Sequence, residues 1–239
     1  MAAYTTIDDP TAYFQVKTYT GNGTAIGSGG LAVTLDSDTD MQPDLVWIKN
    51  RETTDAPAIF DAVRGATKVI YPSHNNAEGT VAETLTAFGS DGFTVGSNSG
   101  VNTSADSHVA WCWKESATAG FDIVNHSGTG SNTTVSHALS AVPHFIVPKN
   151  RETAEDWFCY HHKMASDPET DYININATAV PVDNATMWQD TAPTSSVISV
   201  GTANALNKSG ESIIYYIWTA KQGFSKFGSY EGNNNADGT

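Results

Sequence analysis

Pro43-Asp-Leu-Val-Trp-Ile-Lys-Asn-Arg-Glu-Thr53 returns later in the chain as Pro143-His-Phe-Ile-Val-Pro-Lys-Asn-Arg-Glu-Thr153. The closing pentapeptide is identical, and the apolar positions ahead of it agree. Self-similarity of this kind signals a repeated structural unit. Working outward, Phe14-Gln-Val-Lys-Thr-Tyr-Thr-Gly21 matches Phe121-Asp-Ile-Val-Asn-His-Ser-Gly128, and Asp106-Ser-His-Val-Ala-Trp-Cys-Trp113 matches Glu211-Ser-Ile-Ile-Tyr-Tyr-Ile-Trp218. The matches fall in the same order in both halves. A third beginning follows at Gly223-Phe-Ser-Lys-Phe-Gly-Ser-Tyr-Glu-Gly-Asn233. The expected organisation is therefore an N-terminal arm (1–12), one repeat (13–117), a second (118–222), and the start of a third repeat or a connector (223–239). A lone opening strand cannot close a core, so it either docks on a neighbour or belongs to a protein that continues.

The pattern within each repeat is β. Expected strands are Phe14–Tyr19, Leu31–Leu35, Leu45–Lys49, Ala58–Val63, Lys68–Tyr71, Phe93–Val95 and His108–Lys114. Their counterparts are Phe121–Asn125, Thr134–Ala138, Phe145–Lys149, Trp157–His161, Tyr172–Ile175, Val197–Val200 and Ile213–Trp218. Gly21-Asn-Gly23, Gly29-Gly30, Ser90-Asp-Gly92 and Gly128-Thr-Gly130 supply turns between them. Short strands with such punctuation predict an all-β chain of two tandem jelly-roll or lectin-like β-sandwich modules, plus the first strand of a third. The only helix-like stretch is Ala77–Phe88, read as one turn or an irregular crossover.

Composition bounds the function. The 239 residues are 39% hydrophobic and 10% aromatic, enough for packed cores, and only 16% charged. Net charge is −14, from 26 acidic and 12 basic residues. Without clustered Lys/Arg the chain cannot displace counterions from phosphates, which argues against nucleic acid, and an anionic membrane would repel it. No segment reaches transmembrane length, and the N-terminus lacks the features of a signal peptide. Cys112 reads as a small core residue in a strand, Val109–Trp113, buried on both faces, and Cys159 is its single companion. The chain reads as soluble and made in a cytoplasm.

The candidate sites are few. Asn50, Arg51, Asn150 and Arg151 carry amide and guanidinium groups suited to sugar hydroxyls, although Asn also starts turns and Arg/Glu pairs cover sheet edges. Because the pentapeptide survived duplication, a structural role common to both repeats outweighs a ligand role. Trp157 and Trp188, with Tyr71 and Tyr160, lie among polar residues and offer rings for stacking on a sugar, each against a core placement. Asp36-Ser-Asp-Thr-Asp40 has alternating carboxylates, but Met41 and Trp47 occupy the positions where an EF-hand needs Gly and Glu. Glu169-Thr-Asp171-Tyr-Ile-Asn174 nearly matches a glucanase strand, with Asn174 where a second carboxylate is required. The histidines are scattered; His161 and His162 are adjacent, so on a strand they point to opposite faces. No catalytic residues, metal or cofactor are expected. Divergent loops such as Asp36–Asp40 and Ala179–Thr194 are where function is sought.

Five phrases resemble a family of repeated modules in tail-fibre-like structural proteins of marine bacteriophages. They are Tyr19-Thr-Gly-Asn-Gly23, Pro43–Arg51, Phe60-Asp-Ala-Val-Arg-Gly65, Ser90-Asp-Gly-Phe-Thr-Val-Gly96 and Gly223–Tyr230. The resemblance spans about Ala3 to the end and brings no established catalytic or ligand residues with it. It implies a virion structural protein, a tail fibre or receptor-binding protein, assembled with other virion proteins and contacting a host surface glycan or receptor. A capsid decoration or head-fibre protein and a polysaccharide depolymerase are the alternatives. A homotrimer at the tail or capsid surface suits such an appendage, since it covers sheet edges and multiplies weak contacts.

Overall fold

The computed structural model describes residues 4–233. The chain is an all-β sandwich fold of antiparallel sheets. Its first half contains β1 (Phe14–Thr20), β2 (Leu31–Thr34), β3 (Leu45–Asn50), β4 (Ala58–Asp61), β5 (Lys68–Val69), β6 (Gly79–Thr80), β7 (Leu85–Gly89), β8 (Gly92–Val95), a single-turn α1 (Ser99–Asn102) and β9 (Ser107–Trp113). Its second half contains β10 (Phe121–Ser127), β11 (Thr133–Ser136), β12 (Phe145–Asn150), β13 (Phe158–His161), β14 (Asp171–Asn174), β15 (Val182–Asp183), α2 (Ala185–Trp188), β16 (Val197–Val200), α3 (Asn204–Asn207) and β17 (Ser212–Trp218).

Each half pairs a large sheet with a small one. The large sheets run β1-β9-β3-β4 and β10-β17-β12-β13-β14-β15, and the small ones β2-β8-β7 and β11-β16. The registers coincide: Phe14 faces Trp113, which faces Leu45, just as Phe121 faces Trp218, which faces Phe145. Alternate side chains of each large sheet point toward its small sheet. Val46, Ile48, Phe60 and Cys112 meet Val33, Phe93 and Val95 there, and Ile146, Tyr215 and Ile217 meet Val135, Ile198 and Val200. Cys112 and Cys159 are both buried free thiols, and burial pushes the Cys112 thiol up to about 12.

The opposite faces of the two large sheets pack on one another. Leu45, Ile59 and Ile70 from the first half share a core with Ile123, Val147, Trp157, Cys159, Ile214 and Tyr216 from the second. Along β17, Ile213, Tyr215 and Ile217 serve the second half's own core while Ile214 and Tyr216 serve this seam, so both faces of the strand are buried. Fully burying such a side chain contributes roughly 1.5–3 kcal/mol. The seam reaches only part of the first sheet. Along β9, Ala110 and Cys112 are fully buried, whereas Trp111 and Trp113 are half-covered. The expectation of a β9 buried on both faces is corrected accordingly: the second half stacks over β3 and β4 and leaves the β1–β9 side partly bare.

Four further expectations change. Ala77–Phe88 is not helical but carries β6 and the start of β7. The Ser90-Asp-Gly92 turn closes a β7–β8 hairpin, and Gly92 sits at φ +117°, where an added Cβ would lie 2.0 Å from the Val33 carbonyl oxygen. The expected strand Lys68–Tyr71 is shorter, with Ile70 joined to β4 by a bridge to Ile59. Among the described residues, 223–233 form no strand, because the Lys221–Ser225 turn lays Phe224 and Phe227 against aromatic rings rather than beside a free sheet edge. Part of the divergent loop Ala179–Thr194 is core, since α2 drives Met187 and Trp188 into the second half.

Candidate functional site

A buried ionic clasp holds the halves together. The Arg64 guanidinium lies against the Asp61 carboxylate with both side chains fully buried. It also donates to Glu78 Oε2 at 3.1 Å and to the Ile59 carbonyl at 3.0 Å. From the second half, Tyr216 donates its hydroxyl to Asp61 Oδ2 at 2.6 Å, and Arg151 grips Glu78 through Nε at 2.9 Å and Nη2 at 3.0 Å. Burial opposes ionisation of Glu78, but the Arg151 hydrogen bond and the Arg64 charge outweigh it and hold the carboxyl below its usual value. Two guanidiniums thus neutralise two carboxylates across the seam.

The second half's pentapeptide also braces a loop of the first. Lys149 is fully buried and donates from Nζ to the Asn75 carbonyl at 2.9 Å. Burial lowers its ammonium to about 8, partly offset by Glu155 and Asp156. Trp157, fully buried, donates from Nε1 to the carbonyls of Tyr71 at 3.1 Å and His74 at 2.9 Å. The outer side of that loop lines a cleft of about 270 Å³ at the end of the first half where β3 gives way to β4. Tyr71, His74 and Asn76 form one wall, Asp55 a second, and Asn98 with α1 a third.

The cleft is polar and preorganised. Thr53 Oγ1 donates to Asp55 Oδ2 at 2.9 Å, the Asn98 side chain caps α1 by accepting from Gly100 N at 3.0 Å, and His74 N donates to the Tyr71 carbonyl at 3.0 Å. The Tyr71 and His74 rings stand edge to face, 6.1 Å apart. Partial burial, and then the Asp55 charge, push the Tyr71 phenol above its ordinary value, so it stays a protonated donor at neutral pH. Among the described residues, no Lys or Arg lines the cleft. One aromatic face, a carboxylate, amides and an imidazole can accept and donate to several hydroxyls at once.

Of the residues the sequence singled out, most are structural. Asn50 and Asn150 are fully buried: Asn50 donates to Asp106 at 2.9 Å, and Asn150 donates to Glu211 at 2.8 Å while its Oδ1 accepts from the backbone of Glu152 and Thr153. These amides cannot also face a ligand, which corrects that expectation. Arg151 is held in the clasp, while Arg51 is exposed and donates to Ser107 Oγ at 3.0 Å. Trp188 fills the second core against Tyr160, their rings 6.0 Å apart, and so offers no stacking face. Trp157 is buried too, and acts behind the cleft rather than in it. Asp36 is paired with Lys17. Of the cleft residues only Tyr71 was anticipated; Asp55, His74, Asn76 and Asn98 were missed. Their signal was present in Tyr71-Pro-Ser-His-Asn-Asn76. Matching β5–β6 (Val69 to Gly79) with β14–β15 (Tyr172 to Val182) aligns it with Asn174-Ile-Asn-Ala-Thr-Ala179, which lacks both rings.

A family model described as Domain of unknown function (DUF7483) matches residues 9–239. No curated protein and no solved structure matches the chain. The match takes both halves and the tail as one unit, in keeping with a seam that buries side chains from both sides.

Proposed function

We propose that this chain, which belongs to the DUF7483 family, is a non-catalytic bacteriophage virion structural protein. In this reading it is a tail fibre or receptor-binding protein that attaches to a host surface glycan through the first-half cleft. The observation that carries the ligand class is the cleft itself: Tyr71 presents a ring beside the Asp55 carboxylate and the Asn76 amide, with no Lys or Arg among the described lining residues. A sugar offers an apolar face for the ring and hydroxyls for the polar groups. A net charge of −14 and the Asp55 carboxylate select a neutral or amino sugar over an acidic one. Glycosidases need two carboxylates flanking the scissile bond, and Asp55 is the single carboxylate among the described residues that line the cleft; this supports binding rather than cleavage. The virion role rests on the resemblance of the repeated phrases, and a rigid acidic β protein fits it, since net charge keeps crowded copies soluble. Other virion proteins and two further copies in a trimer are the partners this reading calls for.

A glycan array with purified protein tests the reading. Retention of neutral or amino saccharides is expected, with loss of signal in Tyr71→Ala and Asp55→Asn. Binding confined to acidic glycans, or binding unchanged in both variants, would overturn it.

A further inference from the structure

The seam ends in a second pocket of different chemistry. The Phe14–Trp113–Leu45 row of the first sheet and the Phe121–Trp218–Phe145 row of the second meet there. Trp113 stands edge-on to Trp218 at 6.4 Å, and Phe145 stacks on Trp218 at 5.5 Å. The tail closes another side. The backbone turn Lys221–Ser225 resembles Ser116–Phe121, where the chain enters β10, and it brings Phe224 edge-on to Tyr13 at 6.3 Å. Phe14, Phe121 and Phe224, the matching phenylalanines of all three beginnings, thus line one cavity of about 370 Å³.

That volume falls within the roughly 300–1,000 Å³ of small-molecule sites. The lining is almost wholly aromatic and, among the described residues, contains one charged side chain, Lys114. Its backbone N–H donates to the Tyr13 carbonyl at 2.9 Å, which fixes the residue's backbone beside the cavity. Its ammonium makes no ion pair or side-chain hydrogen bond among the described residues, although the chain carries more than twice as many acidic as basic groups. An aromatic cavity beside a free ammonium is complementary to an apolar body that ends in a negative group. A cation would be repelled by Lys114, and a saccharide would find too few hydrogen-bonding partners on these walls.

We propose that the seam pocket binds a small amphipathic anion, with its apolar body among the rings and its carboxylate on Lys114. The site is separate from the glycan cleft and does not depend on that reading. Decanoate and decanol serve as probes on the full chain, read by the fluorescence of Trp47, Trp113 and Trp218, all of which line the pocket. Decanoate is expected to give a saturable change and to bind about tenfold more tightly than decanol, as a charge-assisted hydrogen bond allows. Lys114→Gln should abolish that preference. Phe224→Ala should weaken both probes. Absence of a saturable change, equal affinity for the two probes in the wild-type protein, or a preference that survives Lys114→Gln would each overturn the proposal.

Discussion

Lys49-Asn-Arg-Glu-Thr53 and Lys149-Asn-Arg-Glu-Thr153 have the same side chains on matching strands, and they do different things. In both, the Asn turns inward and ties the loop to an acidic side chain, Asp106 in one and Glu211 in the other. The flanking cations diverge. Lys49 donates to the Thr53 carbonyl in its own loop, and Arg51 reaches Ser107 at the surface. Lys149 and Arg151 cross the seam to Asn75 and Glu78. Identical sequence therefore marks a shared local fold, while what lies opposite decides whether the outward cations are exposed or become a brace. The second half acts as the support, and the first half, on the supported loop, presents the cleft.

The strongest way to break this comparison is to remove the centre of the clasp. Arg64→Met leaves the Asp61 carboxylate buried with only the Tyr216 hydroxyl as a side-chain partner, and a loss of about 3–5 kcal/mol in unfolding free energy is expected from denaturant titration. A loss below about 1 kcal/mol would mean that the clasp contributes little. Next, Arg151→Ala should remove about 1.5–3 kcal/mol, whereas Arg51→Ala should stay within roughly 0.5 kcal/mol. Equal effects would erase the distinction between the two pentapeptides.

Acid supplies a third test. Glu78 titrates below its ordinary 4.5 in the folded chain, so its contribution is fully present above that value and disappears as pH falls through the lower folded one. The stability difference between wild type and Glu78→Gln should accordingly shrink as pH drops from about 5 toward 3. A constant difference would show that the ionised carboxylate is not what holds the seam. The smallest effect concerns the cleft. Trp157→Phe removes two hydrogen bonds from behind Tyr71 and His74 without touching the ligand, so affinity for a retained saccharide should fall several-fold, by roughly 1 kcal/mol. Unchanged affinity would separate the brace from the site.

Much of this was legible in the sequence, for identifiable reasons. Strand placement followed from alternation and turn residues, and the matched phrases located equivalent strands because cross-strand rows depend on period-2 side chains. Cys112 read correctly as core, and Cys159 is buried as well. The seam was not legible, because burial of a second sheet face needs a partner that no local pattern names. Arg64 and Glu78 are separated by β5 and the loop that follows it, and Glu78 and Arg151 by most of a repeat, so nothing in their spacing announces a cluster. Trp157 stood among polar neighbours and looked like a surface ring, yet its indole ties down carbonyls of Tyr71 and His74, far away in sequence. The cleft lay hidden for the converse reason: His74 and Asn76 look like ordinary turn residues until the second half fixes the loop that carries them.

Hydrogen–deuterium exchange across residues 70–79 tests the bracing claim most directly, because Glu78 N donates to the Arg151 carbonyl at 2.8 Å and His74 N to Tyr71 within the supported loop. Arg151→Ala is expected to raise exchange in this segment well above wild type, while Arg51→Ala leaves it unchanged. Equal exchange in both variants, or protection that survives loss of the Arg151 side chain, would contradict it.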